Sequence, residues 1–377
     1  MPKTIRLLAG VPVLLALAVL PGCAGGGKGE ERTPPAREGL PAYGIQAWQS
    51  NRLREPDFRL IREGGAGFYR FNLLTSTNGD REPPSVRIYD RLIAAATRER
   101  VELLPVLLRS RPKDSSSRKQ VAEPPEGPAE HAEWRRRVRF LAERYGPDGR
   151  FWDERPDLPY RPIRFWEVWN EPNLSQFWDE RRVDPREYGR LLRETRGVLR
   201  SVDRGARIVS AGMAWKYGGA RYLGAMLDAA GPCSVDALAL HPYAPTAERA
   251  VSYLSKARSV ADSRGLRDVD LWTTEIGWRV GGGGDPAIET ARVETPTAQA
   301  RALDGFLQAT TRRRAELGLG PTFAFALRDR VDPVTGKVNN RSGLRLADDT
   351  PRPAWAVLPR TARPAPWVPW PEPRACR

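Results

Sequence analysis

The sequence predicts an α/β chain folded as a single-domain (β/α)8 TIM barrel, and three observations predict it. Eight short apolar runs recur over residues 42–362, amphipathic stretches separate them, and neither an internal repeat nor a second domain shows. Strand followed by helix gives a parallel sheet, and eight such units over roughly 320 residues favour a closed barrel over an open sheet.

The expected strands cover residues 43–47, 67–72, 103–108, 163–169, 208–212, 235–240, 271–274 and 322–327. Several are continuous apolar runs, as strands buried on both faces must be. Between strands four and five, Asp184 and Pro185 supply an N-cap and a first-turn proline. Tyr188, Leu191, Leu192, Thr195, Val198, Leu199 and Val202 then fall on one helical stripe. Trp134, Val138, Leu141 and Tyr145 share another, ended by Gly146 and Pro147. Further amphipathic stretches cover 86–98, 246–264 and 296–316. Residues 110–130, after strand three, and 279–294, after strand seven, break the rhythm as long loops. Both follow strands, so they belong to the face where such barrels build their sites.

At the N-terminus, Lys3 and Arg6 precede an apolar run over residues 7–20, and Pro21, Gly22 and Cys23 follow. A charged start, an apolar stretch too short to span a bilayer comfortably and a small-residue exit read as a secretory signal over residues 1–22. The string LPGC resembles a bacterial lipobox, which implies lipidation of Cys23 and a place on the outer face of the cell membrane; plain secretion is the alternative. Residues 23–41 are Gly-, Pro- and charge-rich and read as a flexible tether, and residues 363–377 as a Pro-rich tail. The other cysteines, Cys233 and Cys376, form a possible disulfide in an oxidising compartment.

The chain has 377 residues, 40% hydrophobic and 28% charged, which excludes a multi-spanning membrane protein. Its net charge of +15 comes from 54 arginines and seven lysines, scattered among Glu and Asp along the helices. That distribution solvates outer helix faces and excludes a nucleic-acid module, although attraction to anionic lipid or acidic polysaccharide is a second reading. No metal-ligand spacing and no nucleotide fingerprint occur, so neither metal nor cofactor is expected; no protein partner is evident.

The chemistry concentrates at two strand ends. RFWEVWNEPN, residues 164–173, brings Asn170 and Glu171 to the rim of strand four, and LWTTEIGW, residues 271–278, brings Glu275 to the rim of strand seven. Those strands face one another across a barrel mouth. Two opposed carboxyls suit glycosidic cleavage, where one protonates the departing oxygen and the other meets the positive anomeric carbon.

These residues resemble the clan A glycoside hydrolases, and the family 39-like group of β-xylosidase and α-L-iduronidase relatives within it. The resemblance implies hydrolysis of O-glycosidic bonds in a polysaccharide, oligosaccharide or glycoside by a retaining mechanism. It implies Glu171 as acid/base, Glu275 as nucleophile and Asn170 as holder of the sugar 2-hydroxyl. It further implies site roles for Arg70 in FYRFN and for His241 and Tyr243 in LHPYA. FAFALRDR on strand eight departs from the pattern, lacking the tryptophan many members place there. Trp48, Trp178, Trp215 and Trp278, at or beyond strand ends, are candidate platforms for sugar rings, whereas Trp166 and Trp272 read as core. A non-catalytic carbohydrate-binding lipoprotein on the same barrel is the alternative.

If LPGC is a working lipobox, the mature protein partitions with membranes and Cys23→Ser abolishes a lipid mass increment at its N-terminus. A wholly soluble wild type without that increment overturns the expectation.

Overall fold

Eight parallel strands close into a barrel: β1 (Tyr43–Gln46), β2 (Phe68–Thr75), β3 (Glu102–Arg109), β4 (Phe165–Asn170), β5 (Arg207–Ala214), β6 (Ala237–His241), β7 (Asp270–Ile276) and β8 (Leu319–Phe325). Each pairs with its neighbours in chain order, and β8 closes the ring between β7 and β1. Every predicted strand is present. The computed structural model describes residues 39–48, 52–75, 86–109, 123–178, 183–281, 291–332, 334–362 and 367–368. The signal, Cys23, most of the tether, the middles of both long loops and Cys376 lie outside the described residues.

The helices α1 (Glu55–Glu63), α2 (Val86–Arg98), α3 (Gly127–Tyr145), α4 (Arg150–Glu154), α5 (Pro185–Val202), α6 (Gly219–Ala230), α7 (Ala247–Asp262), α8 (Pro296–Arg312), α9 (Arg314–Leu317) and α10 (Val357–Ala362) follow in order. The Asp184 side chain caps α5 by accepting from the Arg186 amide at 2.8 Å, and Tyr188, Leu191, Leu192, Thr195, Val198 and Leu199 are buried on its inner stripe. Four helices, α1, α4, α6 and α10, carry no stripe that the sequence reading singled out. In α6, small and apolar residues run nearly all round, because the helix packs on both α5 and α7. The loop after β3 is shorter than predicted, since α3 already begins at Gly127.

A second correction concerns the two ends. Residues 40–41, read as tether, form a short strand paired antiparallel with Trp367–Val368 of the expected tail. Two-residue strands show no alternation, so periodicity cannot reveal them. Beyond β7, Arg279–Val280 pairs in parallel with Arg292–Val293, joining the ends of the loop between them.

The floor of the barrel is aromatic. Phe68 packs at 5.3 Å from Phe323 and 6.0 Å from Trp272, and Phe165 lies 5.3 Å from Trp272, measured between ring centres. Glycine supplies the room: a Cβ at Gly44 would overlap the Phe323 ring, and one at Gly320 the Trp272 indole. This plug seals the N-terminal end, leaving the C-terminal rim for polar residues.

Removing the largest part of that plug tests it. Trp272→Ala is expected to lower unfolding stability by about 3–5 kcal/mol, read as a reduced midpoint in urea. A loss below about 1 kcal/mol means that the plug is not a principal support.

Candidate active site

The end of β4 is a tight, strained turn that fans three consecutive side chains in different directions. Trp169 and Glu171 both have positive φ, 77° and 41°, a region that non-glycine residues seldom occupy. The strain is of order 1–3 kcal/mol per residue, offset here by fixed contacts. The Trp169 indole turns outward and donates to the Phe177 carbonyl at 2.6 Å. Asn170 turns inward to Arg70, and the Glu171 amide donates to the Gly212 carbonyl on β5 at 3.0 Å. The turn therefore delivers Asn170 and Glu171 to the mouth together.

Arg70, from β2, is fully buried at the centre. Its Nε donates to Glu167 Oε2 at 2.6 Å and its Nη2 to Glu167 Oε1 at 2.8 Å, a bidentate pair. Nη2 also reaches Asn170 Oδ1 at 2.8 Å, while Nη1 reaches Glu275 Oε1 at 2.6 Å and the Gln46 side chain. Burial disfavours its charge, but Glu167 and Glu275 outweigh burial and hold its pKa above the ordinary guanidinium value. One guanidinium thereby joins β1, β2, β4 and β7.

His241, at the end of β6, joins the two glutamates. Its Nδ1 lies 2.8 Å from Glu171 Oε1 and 3.7 Å from Glu275 Oε2, and its Nε2 lies 3.1 Å from Thr274 Oγ1. Burial lowers its pKa to about 4 despite the opposing pull of Glu275, so the ring is neutral at neutral pH. The Thr274 hydroxyl donates to Glu167 Oε1 at 3.3 Å, completing a chain from Glu167 through Thr274 and His241 to Glu171. Tyr243 donates to Glu275 Oε2 at 3.0 Å, and burial followed by Glu275 and Glu171 pushes its own pKa up.

Thus six of the predicted residues meet at one mouth: Arg70, Asn170, Glu171, His241, Tyr243 and Glu275. The tryptophans divide differently. Trp178 is enclosed between Trp169 and Tyr188, and Trp278 donates to the Ala244 carbonyl and packs on Phe306 of α8, so neither presents an open ring face. Trp215 is buried beside Tyr253. Only Trp48 is part-exposed, edge-on to Phe325 with the Arg330 guanidinium 5.1 Å from its ring centre. A strand-end tryptophan has two ways to turn, and apolar burial takes three of these four. Cys233, just before β6, is disulfide-bonded; the remaining cysteines lie outside the described residues.

Sequence reasoning missed Glu167, Thr274, Gln46 and Gly212. Glu167 carried a signal: a carboxylate inside the apolar run FWEVW needs a buried cation, and Arg70 in FYRFN is its counterpart. Gly212 carried none. A Cβ there would overlap both the His241 imidazole and Thr274, while its amide donates to Glu167 Oε1 at 3.0 Å. Among the described residues, no group of three or more His, Cys, Asp or Glu could hold a metal ion.

Residues 161–303 match the family model described as glycosyl hydrolase catalytic core. That span contains β4 to β7 and both rim glutamates. The chain has the fold of glycoside hydrolases. A family 39 glycoside hydrolase from the gut symbiont Bacteroides cellulosilyticus WH2 superposes with a TM-score of 0.60 at 18% identity over 85% of this chain. A monomeric β-xylosidase from Caulobacter crescentus CB15 gives 0.59 at 15% identity over 87%, and an exo-β-1,4-mannosidase from Opitutaceae bacterium strain TAV5 gives 0.61 at 15% over 90%. This chain spans 63%, 69% and 62% of their respective lengths. No curated protein matches it by sequence.

The neutral state of His241 has a consequence for stability. Its folded pKa, about 4, lies below its ordinary 6.5, so below that value the unfolded chain takes up a proton that the folded chain refuses. The contribution is full above pH 6.5, falls as pH drops towards 4 and then levels. Between about pH 7 and about pH 5, wild type is expected to lose about 2 kcal/mol more than His241→Asn in urea unfolding. Equal losses contradict a buried neutral imidazole.

Proposed function

We propose that the chain hydrolyses O-glycosidic bonds by retaining double displacement, with Glu275 as nucleophile and Glu171 as acid/base. The observation that carries this reading is the placement of both carboxylates on one histidine. Because His241 Nδ1 contacts an oxygen of each, those oxygens are no further apart than the two distances end to end, about 6.5 Å, the lower edge of the inverting range. A nucleophile acting directly on the sugar fits that closeness better than an interposed water.

The proposed cycle assigns the protonation states. Thr274 Oγ1 lies 3.1 Å from His241 Nε2 and 3.3 Å from Glu167 Oε1, and in this assignment it donates to Glu167 and accepts from Nε2–H of the neutral ring. Nδ1 is then an acceptor, and the Glu171 carboxyl is its donor. Glu171 thus carries the proton that the departing oxygen needs. Glu275 accepts at both oxygens, from Arg70 and from Tyr243, as a carboxylate does.

In the first step Glu275 attacks the anomeric carbon while Glu171 protonates the leaving oxygen, giving a glycosyl-enzyme and a free alcohol. Glu171, now ionised, takes a proton from water. That water opens the ester to Glu275 and restores the original anomeric face. Asn170, its carbonyl held by Arg70, offers its amide N–H to a sugar hydroxyl in the proposed complex. Export and lipid anchoring at Cys23 belong to the same proposal.

Glu275→Ala is expected to abolish turnover. Glu171→Ala should lose about 10²–10⁴-fold on substrates with poor leaving groups. It should retain activity on aryl glycosides with good ones, where azide yields a glycosyl azide of retained configuration. Following wild type by NMR tests the stereochemistry: an inverted anomer as first product rejects double displacement. No glycoside turnover, with saccharide binding intact, selects the non-catalytic alternative.

A further inference from the structure

Between the N-terminal turns of α3 and α5 lies a cavity of about 350 Å³, within the range of roughly 300–1,000 Å³ that ligand pockets occupy. Both helices follow strands, so the cavity is on the same face as the mouth, yet none of the residues gathered at that mouth lines it. Its walls are fixed by contacts between the elements themselves. His131 Nδ1 of α3 lies 2.6 Å from Glu194 Oε2 of α5, and the Trp134 indole donates to Thr195 Oγ1 at 2.8 Å. Arg109, at the end of β3, donates to the Pro124 carbonyl at 3.2 Å and pairs with Glu130 at 2.6 Å. Glu130 Oε2 in turn accepts from the Glu126 amide at 2.7 Å. A hollow held in this way costs little ordering when a ligand enters.

One group in the wall is unsatisfied. Trp178 is 1% exposed, and its indole N–H has no hydrogen-bond partner among the described residues. Trp169 and Tyr188 pack against the ring at 5.5 and 5.8 Å, so Trp178 supplies a donor and not a stacking face. A buried donor without an acceptor is costly, and the cavity is the free volume that Trp178 borders.

The rest of the lining says what kind of acceptor fits. Glu126 and Glu187 place two carboxylates against the single guanidinium of Arg190, with His131 already engaged by Glu194, which disfavours an anion. A cation would suit the carboxylates and leave the indole N–H unanswered, as would an apolar molecule. Pro124, Pro125 and Leu191 add apolar surface. Donors, acceptors and apolar contact side by side suit a sugar, whose hydroxyls both give and accept hydrogen bonds.

We propose that this cavity is a second saccharide site, which holds a neutral stretch of the polymer that is cleaved at the mouth. The link to cleavage rests on the glycosidase reading; the binding does not. Trp178 stands seven residues beyond Glu171, at most about 23 Å of extended chain, so one saccharide strand can reach both places.

The Trp178 indole is the reporter. In a proton–nitrogen spectrum of the full chain its signal, one of 12 tryptophan indoles, is assigned by its loss in Trp178→Phe. The probes are neutral hexasaccharides of xylose, mannose, glucose and galactose, added to Glu275→Ala so that none is consumed. At least one should move the Trp178 signal saturably, and Arg190→Trp, which fills the cavity from its exposed rim, should abolish that movement. With Glu275 intact, the ratio of kcat/KM on the polymer to kcat/KM on an aryl monoglycoside should fall about 3–10-fold in Trp178→Phe, the loss of one hydrogen bond. Should a variant fail to fold, a crystal structure of Glu275→Ala with these hexasaccharides decides alone. A sugar hydroxyl within hydrogen-bond distance of Trp178 Nε1 upholds the site, and a saccharide at the mouth only, or none bound, overturns it. No movement with any hexasaccharide overturns the proposal, as does equal movement with glycerol, inorganic phosphate or an oligogalacturonate. Glycoside hydrolysis without a Trp178 response removes the second site and leaves the glycosidase standing. A response lost in Arg190→Trp, with no glycoside hydrolysed, keeps the saccharide site and overturns its link to cleavage.

Discussion

The site depends on one buried ion pair. Arg70 and Glu167 are both fully enclosed, and neither is tolerable without the other. Together they fix the spacing of β2 and β4, and their remaining valences reach Gln46, Asn170, Glu275, Thr274 and the Gly212 amide. The two rim glutamates therefore do not hang freely from strand ends. Glu275 is held directly by Arg70, and Glu171 through His241 and Thr274. Rearranging the pair would alter both ends of the proposed reaction at once.

Around this pair the barrel is layered by polarity. Aromatic rings fill the N-terminal end, the charged network occupies the middle and mouth, and the strained turn at Trp169–Glu171 converts strand direction into site direction. Glycine appears where the two layers need close approach, at Gly320 against Trp272 and at Gly212 against His241. Burial also explains the protonation pattern. The same enclosure that lowers the His241 pKa raises that of Tyr243, so both stay uncharged between their carboxylate neighbours. Arg279 is equally enclosed, and among the described residues its guanidinium has no hydrogen-bond partner.

Much of this was legible in the amino-acid order. Short apolar runs located all eight strands, and several are continuous because a strand buried on both faces has no polar register to obscure it. Stripe periodicity located α2 with the bounds observed and α5 with its cap. Asn170, Glu171 and Glu275 stood out as polar residues ending apolar runs, a position that a closed barrel turns into a rim. What determines these features is local, and a linear reading recovers local features.

Tertiary structure alone decided the rest, since those features depend on which chains meet. Whether Trp178 and Trp278 open to a saccharide or pack inward is set by neighbours from other segments, Tyr188 and Phe306 among them. The pairing of residues 40–41 with Trp367–Val368 joins segments at opposite ends of the sequence. The need for glycine at 212 arises from a histidine on the next strand. Glu167 shows the boundary between the two kinds of information. Its burial followed from its own strand, but its partner, its hydrogen-bond count and its link to Glu171 followed only from closing the barrel, because an electrostatic contact is a property of distance in space and not along the chain.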